Sequence, residues 1–400
     1  MITPLARRTV MVLASVAATC ALHAQLPSRD RGTTVVRYPP GARAPATWRV
    51  GSVTLRVGGL SATGASSLVD VVGVFLLGDG RMLIADGESS ELRLFALADG
   101  RHLGTIARRG PGPGEIDDLW RVWRTPSGFV AEDAAGKASL FTLDGRFVRV
   151  LPRGAGDGAR RVERLGMFDD TLAFGRALED APTLGAGREA VQQARLLAVT
   201  PSASRMFARY PQEPVVGTPS GRVSRPLLRP RTVAAVANGR ACVGYPARYV
   251  VDCYTPLGQH ALRIERERVA AARVTAAHRE DYITREAAAN PGPRGAPYIA
   301  QLRREGLFAE SLPMFGEFVA AANGDLWVGP HVVPGPIPMK RDYPAVPTTW
   351  SVFGTDGRWK ADVSLPARFQ LFAVDDGVVA GVLRDADDVE QVVMYRLITP

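Results

Sequence analysis

The chain has 400 residues, 46% hydrophobic and 22% charged, which excludes a disordered or fibrous polypeptide and leaves ample material for a large core. Its formal net charge of +9 comes from 49 basic and 40 acidic residues, a balance that would ordinarily raise nucleic acid as a partner. Only Lys137, Lys340 and Lys360 among the basic residues are not arginine. GC-rich codon usage explains such a bias as well as phosphate contacts would, and no nucleic-acid partner is expected.

In chain order, Arg7 and Arg8 form a basic segment, residues 9–21 are an apolar run, and Leu22-His23-Ala24 offers a small-residue cleavage site before Gln25. Residues 1–24 are therefore expected to be a signal peptide, and the protein to be exported, periplasmic or extracellular. Cys20 follows Thr19 and not the Gly, Ala or Ser that a lipid-anchoring signal would place there. No later stretch reaches the ~20 apolar residues needed to span a bilayer. Residues 25–46, rich in Pro and Arg, read as a flexible linker, and 47–400 as one folded domain.

From residue 68 onward a tight turn followed by alternating apolar residues recurs. Examples are Asp79-Gly80 before RMLIAD, Ser127-Gly128 before FVAED, Asp169-Asp170 before TLAFG, Asn238-Gly239 before RACVG, Asn323-Gly324 before DLWVG and Asp376-Gly377 before VVAGV. A second turn follows most of these by about twenty residues, as in LFALADGRHLGTI and LFTLDGRFVRVL. Each unit reads as a four-stranded meander, the blade of a β-propeller. The predicted fold is all-β, a six-bladed β-propeller. The last blade has only three strands before the chain ends at Pro400, so residues 48–57 are expected to supply its fourth strand and close the ring.

In the fourth unit Cys242 and Cys253 are equidistant from the middle of a hairpin. They are the two cysteines left after the signal peptide, an even count in an oxidising compartment, so a cross-strand disulfide is expected. Two buried free thiols are the alternative. A helical insertion of about 267–310, between the fourth and fifth units, is expected from ERERVAAARVTAAHREDYITREAAA and PYIAQLRREGLF.

The stretch IADGESSELRLFALADGRHLGTI running into RRGPGPGEI, together with EDAAGKASLFTLDGRF and LPMFGEFVAAANGDLWV, resembles the secreted bacterial six-bladed β-propellers related to NHL repeats, in which a GxGPGE motif follows the first complete blade. That resemblance implies fold and export. It supplies little chemistry, because members mostly have no established activity.

Tight turns belong to one face of such a disc. The insertions 110–118, 178–194, 211–230, 266–311 and 330–347 all fall on the other, where long loops on a rigid scaffold usually carry binding sites. Candidate ligand-binding residues on that face are Asp86 and Asp133, at matching strand ends, with Arg176, Tyr245 and Arg384 near the corresponding places. Arg225 and Arg229 of an arginine-rich loop, suited to bidentate contacts with an acidic ligand, and His331 complete the set. The favoured reading of Asp86 and Asp133 themselves is that they bond amides of their own loops.

No metal site and no cofactor are expected. His102 and His260 lie on outer strands, His278 in the insertion and His331 in a loop, which does not assemble a three-histidine zinc site. No GxSxG elbow is present, and GPGPGE reads as a turn in which Glu115 fixes the loop. The preferred reading is a monomeric, non-catalytic binding or assembly module that engages an envelope protein, peptide or glycan. A propeller hydrolase or lyase using loop-face carboxylates is the alternative.

Overall fold

The computed structural model describes residues 28–30, 32–151, 162–332, 343–375 and 377–400. The signal peptide read in 1–24, Asp376 of the last turn and the middle of the 330–347 insertion lie outside them. Strands β1 (Ser28–Asp30), β2 (Thr33–Tyr38) and β3 (Thr47–Gly58) precede the repeats. The first antiparallel meander is β4 (Val71–Leu76), β5 (Arg81–Asp86), β6 (Glu91–Ala96) and β7 (His102–Ala107), and the second is β8 (Leu119–Arg124), β9 (Gly128–Asp133), β10 (Ala138–Thr142) and β11 (Phe147–Leu151). The third contains β12 (Glu163–Met167), β13 (Ala173–Leu178), β14 (Glu189–Val199), β15 (Ser204–Gly217) and β16 (Val223–Ser224). The fourth comprises β17 (Val233–Ala237), β18 (Arg240–Gly244), β19 (Val250–Tyr254) and β20 (His260–Arg266), followed by helices α1 (Ala276–Ala289) and α2 (Ala296–Glu305). Then come β21 (Glu317–Ala320), β22 (Leu326–Gly329), β23 (Thr348–Phe353) and β24 (Trp359–Leu365), and finally β25 (Phe369–Asp375), β26 (Val378–Arg384) and β27 (Glu390–Ile398).

The first strands β4, β8, β12, β17, β21 and β25 neighbour one another in that sequence, and β25 returns to β4. The sheets therefore stand round a central channel, which is the arrangement of a β-propeller. The turns obey their sequence chemistry. Asn238 and Gly239 both take positive φ, 49° and 64°, as a two-residue type I′ hairpin requires, and Ala237 pairs with Arg240 across it. The third unit lacks an Asp-Gly at its other tight turn, between β14 and β15, where the Thr200 hydroxyl accepts the Ala203 amide at 3.1 Å.

β3 pairs antiparallel with β27, from Gln391 opposite Gly58 to Ile398 opposite Arg49, and its first residues also pair in parallel with β24. Leu55 and Val57 of β3 share a buried cluster with Val74, Met82, Ile84 and Phe95 of the first unit and Val382 and Val392 of the last. β3 thus seals the seam between the last unit and the first.

Cys242 and Cys253 are directly opposed on β18 and β19 with Cα atoms 4.0 Å apart, and they form a disulfide. That close spacing belongs to the non-hydrogen-bonded kind of antiparallel pair.

Three expectations are corrected. The stretch 25–46 is not a plain linker, because β2 pairs in parallel with β20, from Thr34 opposite Leu262 to Tyr38 opposite Arg266, with Val35, Val36 and Tyr38 buried. β2 covers an outer edge that would otherwise expose unpaired amides and carbonyls. The segments 178–194 and 211–230 are not wholly loop either. β14 and β15 run on beyond the meander as a paired arm, with Glu189 opposite Val216 at its far end. The helical insertion begins later than its sequence suggests, at Ala276, where the Thr275 hydroxyl accepts the His278 amide as an N-cap, and Arg268 in the preceding stretch takes positive φ.

Candidate ligand-binding face

The two aspartates at matching strand ends are structural. Asp86, 1% exposed, accepts the Val69 amide at 2.9 Å on one oxygen and the Ser89 amide and hydroxyl, each at 2.8 Å, on the other. Asp133, also buried, accepts the Lys137 amide at 2.8 Å. Both carboxylates are turned into their own loops and knit them to the sheet. Glu115 of GPGPGE does the same. Its carboxylate accepts the Gly112 amide at 3.0 Å and lies so close over Gly110 that a Cβ there would meet it at 2.2 Å, so a side chain at that position would displace the carboxylate.

Arg384 is likewise committed. It bonds Glu390 at 2.7 Å and lies 4.2 Å over the Tyr343 ring, while Glu390 also accepts the Val71 amide at 2.8 Å and so ties the last unit to the first. His331 stands apart from these residues. Its Nε2 is buried without a hydrogen-bond partner, and burial pushes the imidazole down to about 4, so it is neutral at pH 7.

Arg176, Arg225, Arg229 and Tyr245 are brought together, with partners the sequence did not single out. Glu213, on the β15 arm and buried, receives Arg225 at 2.6 Å and Arg229 at 2.7 Å, with Arg231 at 3.5 Å. Burial would raise the Glu213 carboxyl, but Arg229, Arg225 and Arg231 outweigh it and hold the group below its usual range. Tyr245 lies within the field of this carboxylate, and burial together with Glu213 pushes its phenol up to about 12. Arg176, its side chain 9% exposed, bonds Glu163 at 2.5 Å and Gln212 at 2.9 Å, and Arg121 reaches the other oxygen of Glu163 at 2.9 Å. Beside them Arg164 pairs with Glu132 and lies over the Trp123 ring.

These side chains come from loops and from the loop ends of strands. Arg121 lies near the start of the first strand of the second unit, Glu163 opens that of the third, and Arg231 precedes that of the fourth. Arg121 also borders the central cavity, of about 820 Å³, whose wall includes Phe75, Trp123, Leu165, Val236 and Phe372. The helices dock on the arginine-rich loop, where the Leu227 amide bonds the Leu307 carbonyl at 2.7 Å and the Ala309 amide bonds the Leu227 carbonyl at 2.9 Å. Leu227, Tyr282 and Phe308 cover a small apolar cluster of Ile283, Ile299 and Leu302. The signal that could have found Glu163 and Arg121 is a charged residue inside a first strand, where apolar packing is the rule. Glu213 carried no such mark, because its segment read as loop.

Among the described residues no helix is long and apolar enough to cross a membrane. No family model matches the chain, and no curated protein matches it. Among solved structures it is similar to a protein of Bacteroides fragilis NCTC 9343 described as exported, at 12% identity and TM-score 0.42, covering 92% of this chain and 100% of that one. It is also similar to a member of the DUF4221 family from Bacteroides vulgatus, at 9% identity and TM-score 0.49, covering 87% and 97%. Regucalcin, a calcium-binding protein of Agrobacterium tumefaciens, is similar at 9% identity and TM-score 0.37, covering 88% and 96%.

Proposed function

We propose that the protein is an exported six-bladed propeller that works as a binding or assembly module, engaging a protein, peptide or glycan of the cell envelope through its loop-rich face. The six-blade reading is supported by the succession of first strands round the channel, and export by the basic and apolar N-terminal segment. The observation that carries the functional reading is the surplus of arginine gathered at the loop ends of three consecutive units, where the helical insertion and the β14–β15 arm also converge. Asp86 and Asp133, which a hydrolase or lyase of this layout would use, are instead bonded to loop amides.

The test places a photo-crosslinking residue at exposed Asp117 or Arg222 on the loop face and at exposed Asp356 in a tight turn on the other face. In cells that export the protein, adducts are expected at the first two positions and not at the third. Adducts confined to Asp356 would overturn the reading.

A further inference from the structure

We propose that Arg121, Arg176 and Arg231, gathered round Glu163 at the channel mouth, form a site for a multiply charged oxyanion, a phosphate or a pair of carboxylates, carried by the ligand. This deepens the loop-face reading and rests on it. The arginine-rich loop that the sequence singles out is not the site itself, since Arg225 and Arg229 are spent on buried Glu213 at 2.6 and 2.7 Å. What remains is an imbalance. Five guanidinium groups, of Arg121, Arg176, Arg225, Arg229 and Arg231, share the carboxylates of Glu163 and Glu213, an excess of three positive charges.

Two independent features suit the mouth to an anionic ligand. The Nε of Arg176 is buried with no acceptor, although the side chain is more than nine-tenths buried and its other nitrogens are bonded. A buried donor of this kind is costly unless something accepts from it. Arg231, by contrast, is 60% exposed and reaches Glu213 only at 3.5 Å, so it retains donors for a ligand. The Arg229 and Arg176 charges nearby repel its own, and an entering anion would relieve that repulsion. Glu163 is 38% exposed, so the mouth is open to solvent and a small ion can enter. The planar fork of Arg231 suits bidentate contact with a tetrahedral or planar oxyanion, while Arg121, bonded to the Arg164 carbonyl at 3.2 Å and to Glu163 at 2.9 Å, adds its charge.

The experiment titrates the mature full-length protein with inorganic phosphate and, separately, with succinate, by calorimetry at low ionic strength. Saturable binding of one or both is expected, and the stronger of the two identifies the source of the charge. Arg231→Gln should weaken binding by about tenfold or more, the loss of a charge-assisted bond. Arg146→Gln, which removes an exposed arginine from a tight turn on the opposite face, should change it by less than about twofold. Equal effects of the two substitutions, or no saturable binding of either anion, would overturn the site. If the site fails while crosslinks at Asp117 and Arg222 persist, the loop-face reading stands without it. Loss of those crosslinks in the parent protein overturns that reading instead.

Discussion

Truncation of the residues ahead of the first unit tests how the ring is secured, and Tyr38 concentrates the effect. Its side chain is 5% exposed, its hydroxyl donates to the Gly357 carbonyl at 3.0 Å and accepts the Trp359 amide at 2.5 Å, and its ring meets Trp359 edge-on at 5.6 Å. Tyr38→Phe keeps the ring and orphans a buried amide, which should cost about 1–3 kcal/mol. Tyr38→Ala also leaves a cavity in the cluster of Phe353, Trp359 and Val251, and should cost about 3–5 kcal/mol. Deleting 25–46 removes Val36 as well, at roughly 1.5–3 kcal/mol for a buried aliphatic side chain, and bares the edge of β20. Deleting 25–58 goes further by opening the seam between β27 and the first unit. Urea unfolding followed by tryptophan fluorescence should rank the four variants in that order. If Tyr38→Ala and the 25–46 deletion both lie within about 1 kcal/mol of the parent, β2 is not part of the stabilising structure.

Glu213→Gln should destabilise by about 3–5 kcal/mol, because three guanidinium groups lose the buried carboxylate that gathers them, and the loss should show as a lower urea midpoint. Reducing the Cys242–Cys253 bridge should cost no more than about 3 kcal/mol, given the short loop it closes, while unreduced native protein should offer no alkylatable thiol in intact-mass measurement. His331 predicts a pH effect of definite sign. Its folded pKa, about 4, is below the unfolded 6.5, so its contribution is complete above pH 6.5 and is lost as pH falls toward 4, by about 3 kcal/mol. His331→Asn should lack that component, and an unchanged pH profile would refute it.

The repeat was legible because Asn-Gly and Asp-Gly turns leave a signature on both sides of themselves, and β3 was legible as a strand with no local partner. β2 was not. It pairs in parallel with β20, more than two hundred residues away, and such a pairing leaves no hairpin turn in the sequence. Its flanks, Gly32 and Pro39-Pro40, read as linker when the edge they serve is out of view. The aspartates were correctly suspected of bonding their own loops, since an Asp at a strand end has amides within reach. The arginines were harder. Sequence counts donors but does not reveal which carboxylate consumes them, and Arg225 and Arg229 lost their apparent freedom to Glu213 on an arm that read as loop. Arg176 was already a candidate, but Arg121 gained significance only when three units met at one mouth.

Glu163 decides whether that mouth is an anion site or a self-contained ion network, because the carboxylate now occupies the place a ligand's charge would take. Its carboxyl is raised by burial, but Arg176 and Arg121 outweigh this and hold it below the usual range, so it is ionised at neutral pH. Two effects of Glu163→Gln oppose each other. The amide is a weaker partner for Arg176 and Arg121, and with one guanidinium buried and the other a third exposed the loss of stability should be about 2–4 kcal/mol. Removing the negative charge also removes its repulsion of an incoming anion, worth ~1 kcal/mol at about 4 Å in water and ~4 kcal/mol at an effective dielectric of 20. A partly exposed mouth lies between these limits, and the amide oxygen still accepts from one arginine, so the second effect should win for binding. Phosphate should therefore bind Glu163→Gln several-fold more tightly than the parent, although the variant unfolds at lower urea. Weaker binding in a variant that remains folded would mean that the carboxylate positions the arginines more than it competes with the ligand, and the electrostatic argument for the mouth would be wrong.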